Sequence, residues 1–300
     1  MAKTDDINAN ALERRLKAYE VKIANQYREA LVKIRADIGV LYEKYAVNGQ
    51  LTYGEMTKFN RLTKLERRIT DYMAPTIAKN DALLAKISLV EYDEAFYRYG
   101  WSIDQQLGAS LQWGQLNPEA VKAAVANPLN LIARERLRFA GRTQVRNAVT
   151  QGLIQGLSYD NMVKGIKGAI NGTAYDAMRI ARTEGQRAQV LGQQANYEEA
   201  EKLGVEFDEI WDATLDSKTR PAHGALDGVA AQVRSDGSRY WNTSVGEVSG
   251  PLQSGYASFD IHCRCRVRAQ IKDFEPKSRR VGKEIVSYET YDQWKARTGR

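Results

Sequence analysis

Val205–Asp216 reads VEFDEIWDATLD, and this stretch divides the chain into two kinds of pattern. Before it, apolar residues recur every three or four positions. Within it, Trp211, Ala213 and Leu215 alternate with Asp212, Thr214 and Asp216. The first period belongs to helices and the second to a strand that ends in a polar turn. A second strand signal follows at Ile261–Ile271, IHCRCRVRAQI. One face would carry Ile261, Cys263, Cys265, Val267, Ala269 and Ile271. The other would carry His262, Arg264, Arg266, Arg268 and Gln270. An unbroken strand would therefore point both thiols inward and the arginines outward. Asp236-Gly237 marks a hairpin turn between the two signals. The expected fold class is α+β: an elongated, mostly helical N-terminal two-thirds followed by a small α+β lobe of short strands.

Upstream, one stripe runs through Leu12, Leu16, Tyr19, Ile23, Tyr27, Ala30, Ile34, Ile38, Leu41 and Tyr45, close to a coiled-coil seam. Asn48-Gly49 interrupts it, Thr52 can cap a second helix, and Met56, Phe59, Leu62, Leu65, Ile69, Tyr72 and Met73 form the next stripe. The pair predicts an antiparallel hairpin, serving either mutual burial or docking on a partner. The aromatics Tyr92, Phe96, Tyr97, Tyr99, Trp101 and Trp113, interspersed with Gly100, Gly108 and Gly114, suggest a compact irregular segment. It would be a local core or an interface anchor. Asn117-Pro118 opens a helix, Pro128 another to about Gly156, Ser158 a third to Ile170, and Thr173 a fourth from Ala174 to Leu203. On the last, Ala174, Ala177, Ala181, Ala188 and Ala195 make a small face for close packing. Arg179, Arg182, Gln186, Gln189 and Gln193 make a polar stripe beside it, read as solvated surface or phosphate contact. The expected division is 1–115 as helical hairpin and aromatic linker, a docking module; 116–271 as the main domain, with basic helices 128–203 and the lobe 204–271; and 272–300 as a basic tail.

Charge follows this division. The chain carries 44 Lys and Arg against 37 Asp and Glu, a net +7. Between Leu131 and Gln189 ten basic residues face four acidic ones, whereas from Gly204 to Ile261 nine acidic residues face four basic ones. Arg134, Arg138, Arg142 and Arg146, spaced by four, form a guanidinium ridge. With Arg179 and Arg182 they are the candidate contacts for DNA phosphates. The excess is too small for a histone-like tail. A hydrophobic fraction of 43% excludes wholesale disorder, no apolar run is long enough to span a bilayer, and the polar start MAKTDDINAN lacks the apolar segment of a secretory leader. Two cysteines are too few for a disulfide framework and point to a reducing compartment.

Three pieces occur in order: Ala181-Arg182-Thr183-Glu184; Trp211-Asp212 with Asp216, Arg220, His223 and Leu226-Asp227-Gly228; and His262-Cys263-Arg264-Cys265. Together they resemble the phage Mu F-like head morphogenesis family, over roughly Leu131 to Ile271. Arg182, Glu184, Asp212, Asp216, Arg220, His223, Asp227, Gly228, Cys263 and Cys265 carry the resemblance. It implies a minor head protein of a tailed phage or prophage, inside the capsid and associated with the portal, acting in head morphogenesis and in DNA packaging or ejection. The implied partners are the portal protein and a capsid or scaffolding protein; double-stranded DNA, bound without sequence preference, is the partner expected from the Arg134–Arg146 ridge and the basic balance of its region. The implied location is the virion, with the host cytoplasm during assembly.

The residues leave the chemistry open. Cys263 and Cys265 are either small core residues or ligands of a structural zinc with His223 and Asp212 or Asp216; a strained disulfide is a third reading. A metal-dependent nuclease or hydrolase built on Asp216, His223, Cys263 and Cys265 competes with a structural Asp–Arg–His network. No H-E-x-x-H, G-x-S-x-G or Walker A pattern occurs. The expectation is a non-enzyme. A regulator with a helix-turn-helix would have to use the Gly156-Leu157-Ser158 break.

Overall fold

A computed structural model describes residues 2–214, 217–271, 279–281, 284–286 and 296. The described elements run α1 (Ala2–Tyr45), α2 (Tyr53–Thr57), a 3-10 turn (Lys58–Asn60), α3 (Arg61–Leu107), α4 (Pro118–Val125), α5 (Pro128–Ile154) and α6 (Tyr159–Lys202). They continue with β1 (Phe207–Asp212), α7 (Pro221–Gly224), β2 (Gln232–Val233), β3 (Arg239–Thr243), β4 (Gly246–Val248), α8 (Ala257–Asp260), β5 (Arg266–Ile271), β6 (Arg279–Val281) and β7 (Glu284–Val286). A long helical region followed by a small lobe of short antiparallel strands is the expected fold class. The chain forms two compact units that interleave in sequence. The first contains Met1–Leu16, Ile87–Ala126 and Arg182–Arg300, the second Lys17–Lys86 and Asn127–Ala181.

The second unit is helical. Ile23, Tyr27, Ile34 and Ile38 of α1, Leu65, Ile69, Met73 and Ile77 of α3, Val145, Val149 and Leu153 of α5, and Met162, Ile166 and Ile170 of α6 are all buried. The hairpin is antiparallel: Asp37 accepts from Arg68 at 2.9 Å and from the Tyr72 hydroxyl at 2.9 Å. Thr52 caps α2 by accepting from the Glu55 amide at 3.2 Å. Three expectations fail here, at Phe59, at Asn171-Gly172 and at Thr173. Phe59 is 78% exposed, because Phe59 and Asn60 adopt positive φ at the kink. Pro75 lies within α3. Buried Met73, Thr76 and Ile77 around it offset the roughly 3 kcal/mol that an internal proline costs. Asn171-Gly172 does not end a helix either. The stripe Met162, Ile166, Ile170, Ala174, Ala177 stays in phase across it and is buried throughout, outweighing about 1 kcal/mol for a helical glycine. Thr173 is thus no cap. Its buried hydroxyl donates to the Ala169 carbonyl at 3.0 Å.

The first unit holds the strands. The aromatics of α3 are helical, not irregular, and join one core: Phe96, Tyr97, Tyr99 and Trp101 cluster with Trp113, Tyr197, Phe207, Trp211, Trp241, Phe259 and Val267. They are core residues. Here too α1 and α3 are antiparallel, with Arg15 gripping the fully buried Glu91 at 2.7 Å. The small face of α6 has the expected use. At Gly192 a Cβ would lie 2.2 Å from the Tyr92 carbonyl oxygen, so only glycine permits this approach. The polar stripe next to it is not solvated beyond Arg182. Gln186, Gln189 and Gln193 are buried. Gln189 donates to Tyr99 at 3.1 Å, and Gln193 to Tyr197 at 2.7 Å and to the Val267 carbonyl.

β1 pairs antiparallel with β5 in the register Phe207↔Ile271 to Asp212↔Arg266. The Asp236-Gly237 turn joins β2 to β3, with Gly237 at φ 84°. The expected strand Ile261–Ile271 is shorter: β5 begins at Arg266, and His262 takes φ 58° in the loop before it. Arg264, Arg266 and Arg268 are half-buried, not on an open face.

Candidate functional site

The site is assembled at the end of β1. Trp211 donates its amide to the Val229 carbonyl at 2.9 Å and receives the Gly228 amide at 2.8 Å. Gly228 needs φ 77° to make this return, a conformation free of strain only for glycine. The Asp227 carboxylate accepts from the Ala213 amide at 2.9 Å and closes the turn. The Trp241 indole donates to the Val229 carbonyl at 3.0 Å, and its ring meets that of Trp211 edge-on at 5.6 Å. Leu226-Asp227-Gly228 is therefore a backbone device, which explains those residue types without catalysis.

Arg220 precedes α7, where Pro221 occupies the first helical position. Its guanidinium donates to the carbonyls of Ile261 at 2.5 Å and Phe259 at 3.4 Å. This fastens the α7 turn to the segment leading into β5. His223, in α7, is 2% exposed and stacks against Phe259 with ring centroids 4.1 Å apart. Its Nδ1 lies 3.4 Å from the sulfur of Cys263 and 3.4 Å from that of Cys265. All three donor atoms lie within 4.8 Å of one another. Its Nε2 has no hydrogen-bond partner among the described residues. Both thiols are free and buried, so the disulfide reading fails. They point inward as expected, but from a loop in which the Cys265 amide donates to the Cys263 sulfur at 3.4 Å. The Cys265 thiol is pulled down to about 5, first by the hydrogen bond from Cys263 and then by His223. Cys263 moves up because it supplies that hydrogen bond and is buried. The two sulfurs therefore shift in opposite directions because they share one hydrogen bond in a buried setting.

The other named residues lie elsewhere. Asp212 is bound by Arg266 directly across the strand pair, which removes it from the ligand set proposed for the thiols. Asp216 falls outside the described residues. Glu184 is buried and pairs with Arg187 at 3.2 Å, while Arg182 grips Glu13 through two bonds of 2.8 and 3.0 Å. The arginine ridge is largely occupied within the chain. Arg134 and Arg138 share Asp81 at 2.8 and 3.1 Å, Arg146 meets Glu66 at 3.1 Å, and Arg179 meets Asp176 at 3.1 Å. Arg142 is exposed. The buried glutamines of α6 and the Arg15–Glu91 pair escaped sequence reading. A glutamine at every third or fourth position beside an alanine face was the available signal.

Residues 143–268, which carry the lobe and its motif, match the family described as phage Mu protein F like protein. Over nearly its full length the chain is similar to the minor head protein GP7 of Bacillus phage SPP1. The two are 28% identical over 284 residues, covering 92% of this chain and 91% of that protein. It is also 27% identical over 285 residues to the NAD(+)–arginine ADP-ribosyltransferase EFV of Enterococcus faecalis, covering 92% of this chain but 56% of that protein. An uncharacterized protein of Haemophilus influenzae is 28% identical over 147 residues, 49% of this chain and 28% of that protein. No solved structure matches the chain. The family match and the likeness to the SPP1 minor head protein support a role in the phage head. Among the described residues no helix is long and apolar enough to cross a membrane.

Proposed function

We propose that the protein is a minor head protein of a tailed phage or prophage that associates with the portal inside the capsid and acts in head assembly and in DNA packaging or ejection. The observation that carries this reading is the end-to-end similarity to the SPP1 minor head protein, which leaves only 9% of that relative outside the match. The ADP-ribosyltransferase relative extends well beyond the matched region, so its named activity is not transferred to this chain. The role proposed is structural and without turnover. Most of the hairpin's apolar stripes, Phe59 excepted, are buried within the chain, so docking would use polar outer surfaces and not an open seam. DNA contact would use Arg142 together with Arg138 and Arg146, whose exposed ion pairs are worth only about 0–1 kcal/mol and can yield to phosphate. The assigned locations are the virion and, during assembly, the host cytoplasm.

The test is co-expression of the full chain with the portal protein encoded in the same genome. The expected result is co-elution with the portal oligomer, and heads made without the chain should show reduced infectivity. Separate elution, with heads equally infectious without it, would overturn the reading.

A further inference from the structure

We propose that His223, Cys263 and Cys265 form a zinc site that clamps the α7 turn to the segment preceding β5. The two halves of the cluster come from stretches about forty residues apart, yet they converge on one buried point. Zinc binds sulfur at about 2.3 Å and imidazole nitrogen at about 2.0–2.1 Å, which in a tetrahedron separates the two donors by roughly 3.6 Å. The nitrogen-to-sulfur distances here are both 3.4 Å, so the imidazole already stands near its metal-bound spacing from each sulfur, and all three donors lie within 4.8 Å of one another. Two soft sulfurs and an imidazole favour zinc over magnesium or calcium, which take oxygen. The imidazole shares its buried surroundings with Trp211 and Phe259. In such a setting two thiolates balance a divalent ion, and Arg220 already holds the backbone on both sides in place.

A small cavity of about 10 Å³ adjoins the cluster, lined by residues that include Thr214, Thr219, Arg220 and His262. That is the room one water molecule needs. It supplies the fourth position, so the site takes three protein ligands and one solvent oxygen. His262 is exposed and lies outside the set of converging donor atoms. It is a wall of the cavity, not a ligand. Binding at such a site adds directly to folding free energy, because the unfolded chain has no comparable arrangement.

The experiment uses the full chain, purified without a histidine tag under reducing conditions, loaded with zinc chloride and desalted. Elemental analysis should find one zinc per chain. Replacing zinc by cobalt should give an intense tetrahedral spectrum with a sulfur-to-metal charge-transfer band. Cys263→Ser and Cys265→Ser should each lose the bound ion, while His262→Ala keeps it. Because the serine variants can fail to fold, alkylation of the unaltered chain provides an independent readout: zinc should slow modification of both thiols. A folded chain that retains no zinc after loading, a cobalt spectrum without the thiolate band, or equal alkylation with and without zinc overturns the proposal.

Discussion

The helical unit and the strand-bearing unit are stabilised in different ways. In the former, Ile23, Ile34, Ile38, Ile69, Val149 and Ile166 perform one task at successive turns, and an apolar side chain of similar size at any of these positions would serve. In the latter, single residues perform tasks that no neighbour duplicates. Gly228 makes a left-handed return, Asp227 caps the Ala213 amide, Gly192 admits the Tyr92 carbonyl, and His223 faces two sulfurs. A repeating core constrains polarity more than identity, whereas a device of individual parts constrains identity itself. The motif pieces that name the family fall mainly in the second kind of structure, between Arg182 and Cys265.

The widest gap between the units should appear on truncating or swapping core residues. Trp211 is fully buried and touches the rings of Trp241 and His223. Trp211→Ala should cost about 3–5 kcal/mol in denaturant unfolding, and the thiols should become reactive. Ile34→Leu, a volume-conserving change at a fully buried position of the helical unit, should cost less than about 1.5 kcal/mol. Equal losses would abolish the distinction.

A second contrast is pH dependence. Glu209 on β1 is 5% exposed. Burial raises its carboxyl from the ordinary 4.5 to about 7, opposed by Arg239 and reinforced by Glu201 and Glu198. Between those values the folded chain holds a proton that the unfolded chain has released. Stability therefore falls as pH rises from about 4.5 to 7 and is level above, a loss of about 3 kcal/mol. Glu209→Gln should remove that slope and leave the protein more stable at pH 8, as followed by melting temperature across pH. A slope unchanged in the variant would assign it to other groups.

Two glycines of one helix sharpen the comparison at smaller scale. Gly192 lies against the Tyr92 backbone, while a Cβ at Gly165 would meet nothing within 4 Å. Gly192→Ala should destabilise by about 1–3 kcal/mol or more, since backbone must move. Gly165→Ala should stabilise by about 0.4–1 kcal/mol through helix propensity and a less free unfolded chain. Opposite signs in one helix would show that local packing, not helical position, sets the tolerance.

What could be read in the sequence divides along the same line. The stripes of α1 and α3 were legible because burial repeats at the helical period, and the caps at Thr52 and Asn117 because their side chains act locally. Asn171-Gly172 reads as a helix end, yet tertiary burial on both sides exceeds that local penalty. The alternation Ile261–Ile271 pointed the thiols inward correctly, but it overran the strand, since nothing in the alternation reveals the positive φ of His262. His223, Cys263 and Cys265 could be named as partners. Their convergence depends on Arg220 reaching two carbonyls of a distant turn, which no spacing encodes. The arginine ridge was visible as charge, whereas its acidic partners Asp81 and Glu66 lie on another helix and emerge only on folding.

The smallest effect on stability concerns that ridge. Arg146 and Glu66 meet at 3.1 Å with side chains 50% and 24% exposed. Such a pair is worth about 0–1 kcal/mol, because water screens it and two long side chains lose freedom. Glu66→Gln should therefore shift stability by no more than about 0.5 kcal/mol. Its effect on DNA binding should be larger in proportion. If Arg146 reaches a phosphate, it must first leave Glu66, and the variant removes that competition. Binding to double-stranded DNA at low salt should tighten, and the slope of log affinity against log salt should steepen by about 0.9, the value for one additional phosphate contact. A slope identical in both proteins would leave Arg146 to the helical unit alone. DNA contact would then rest on Arg142 and Arg138.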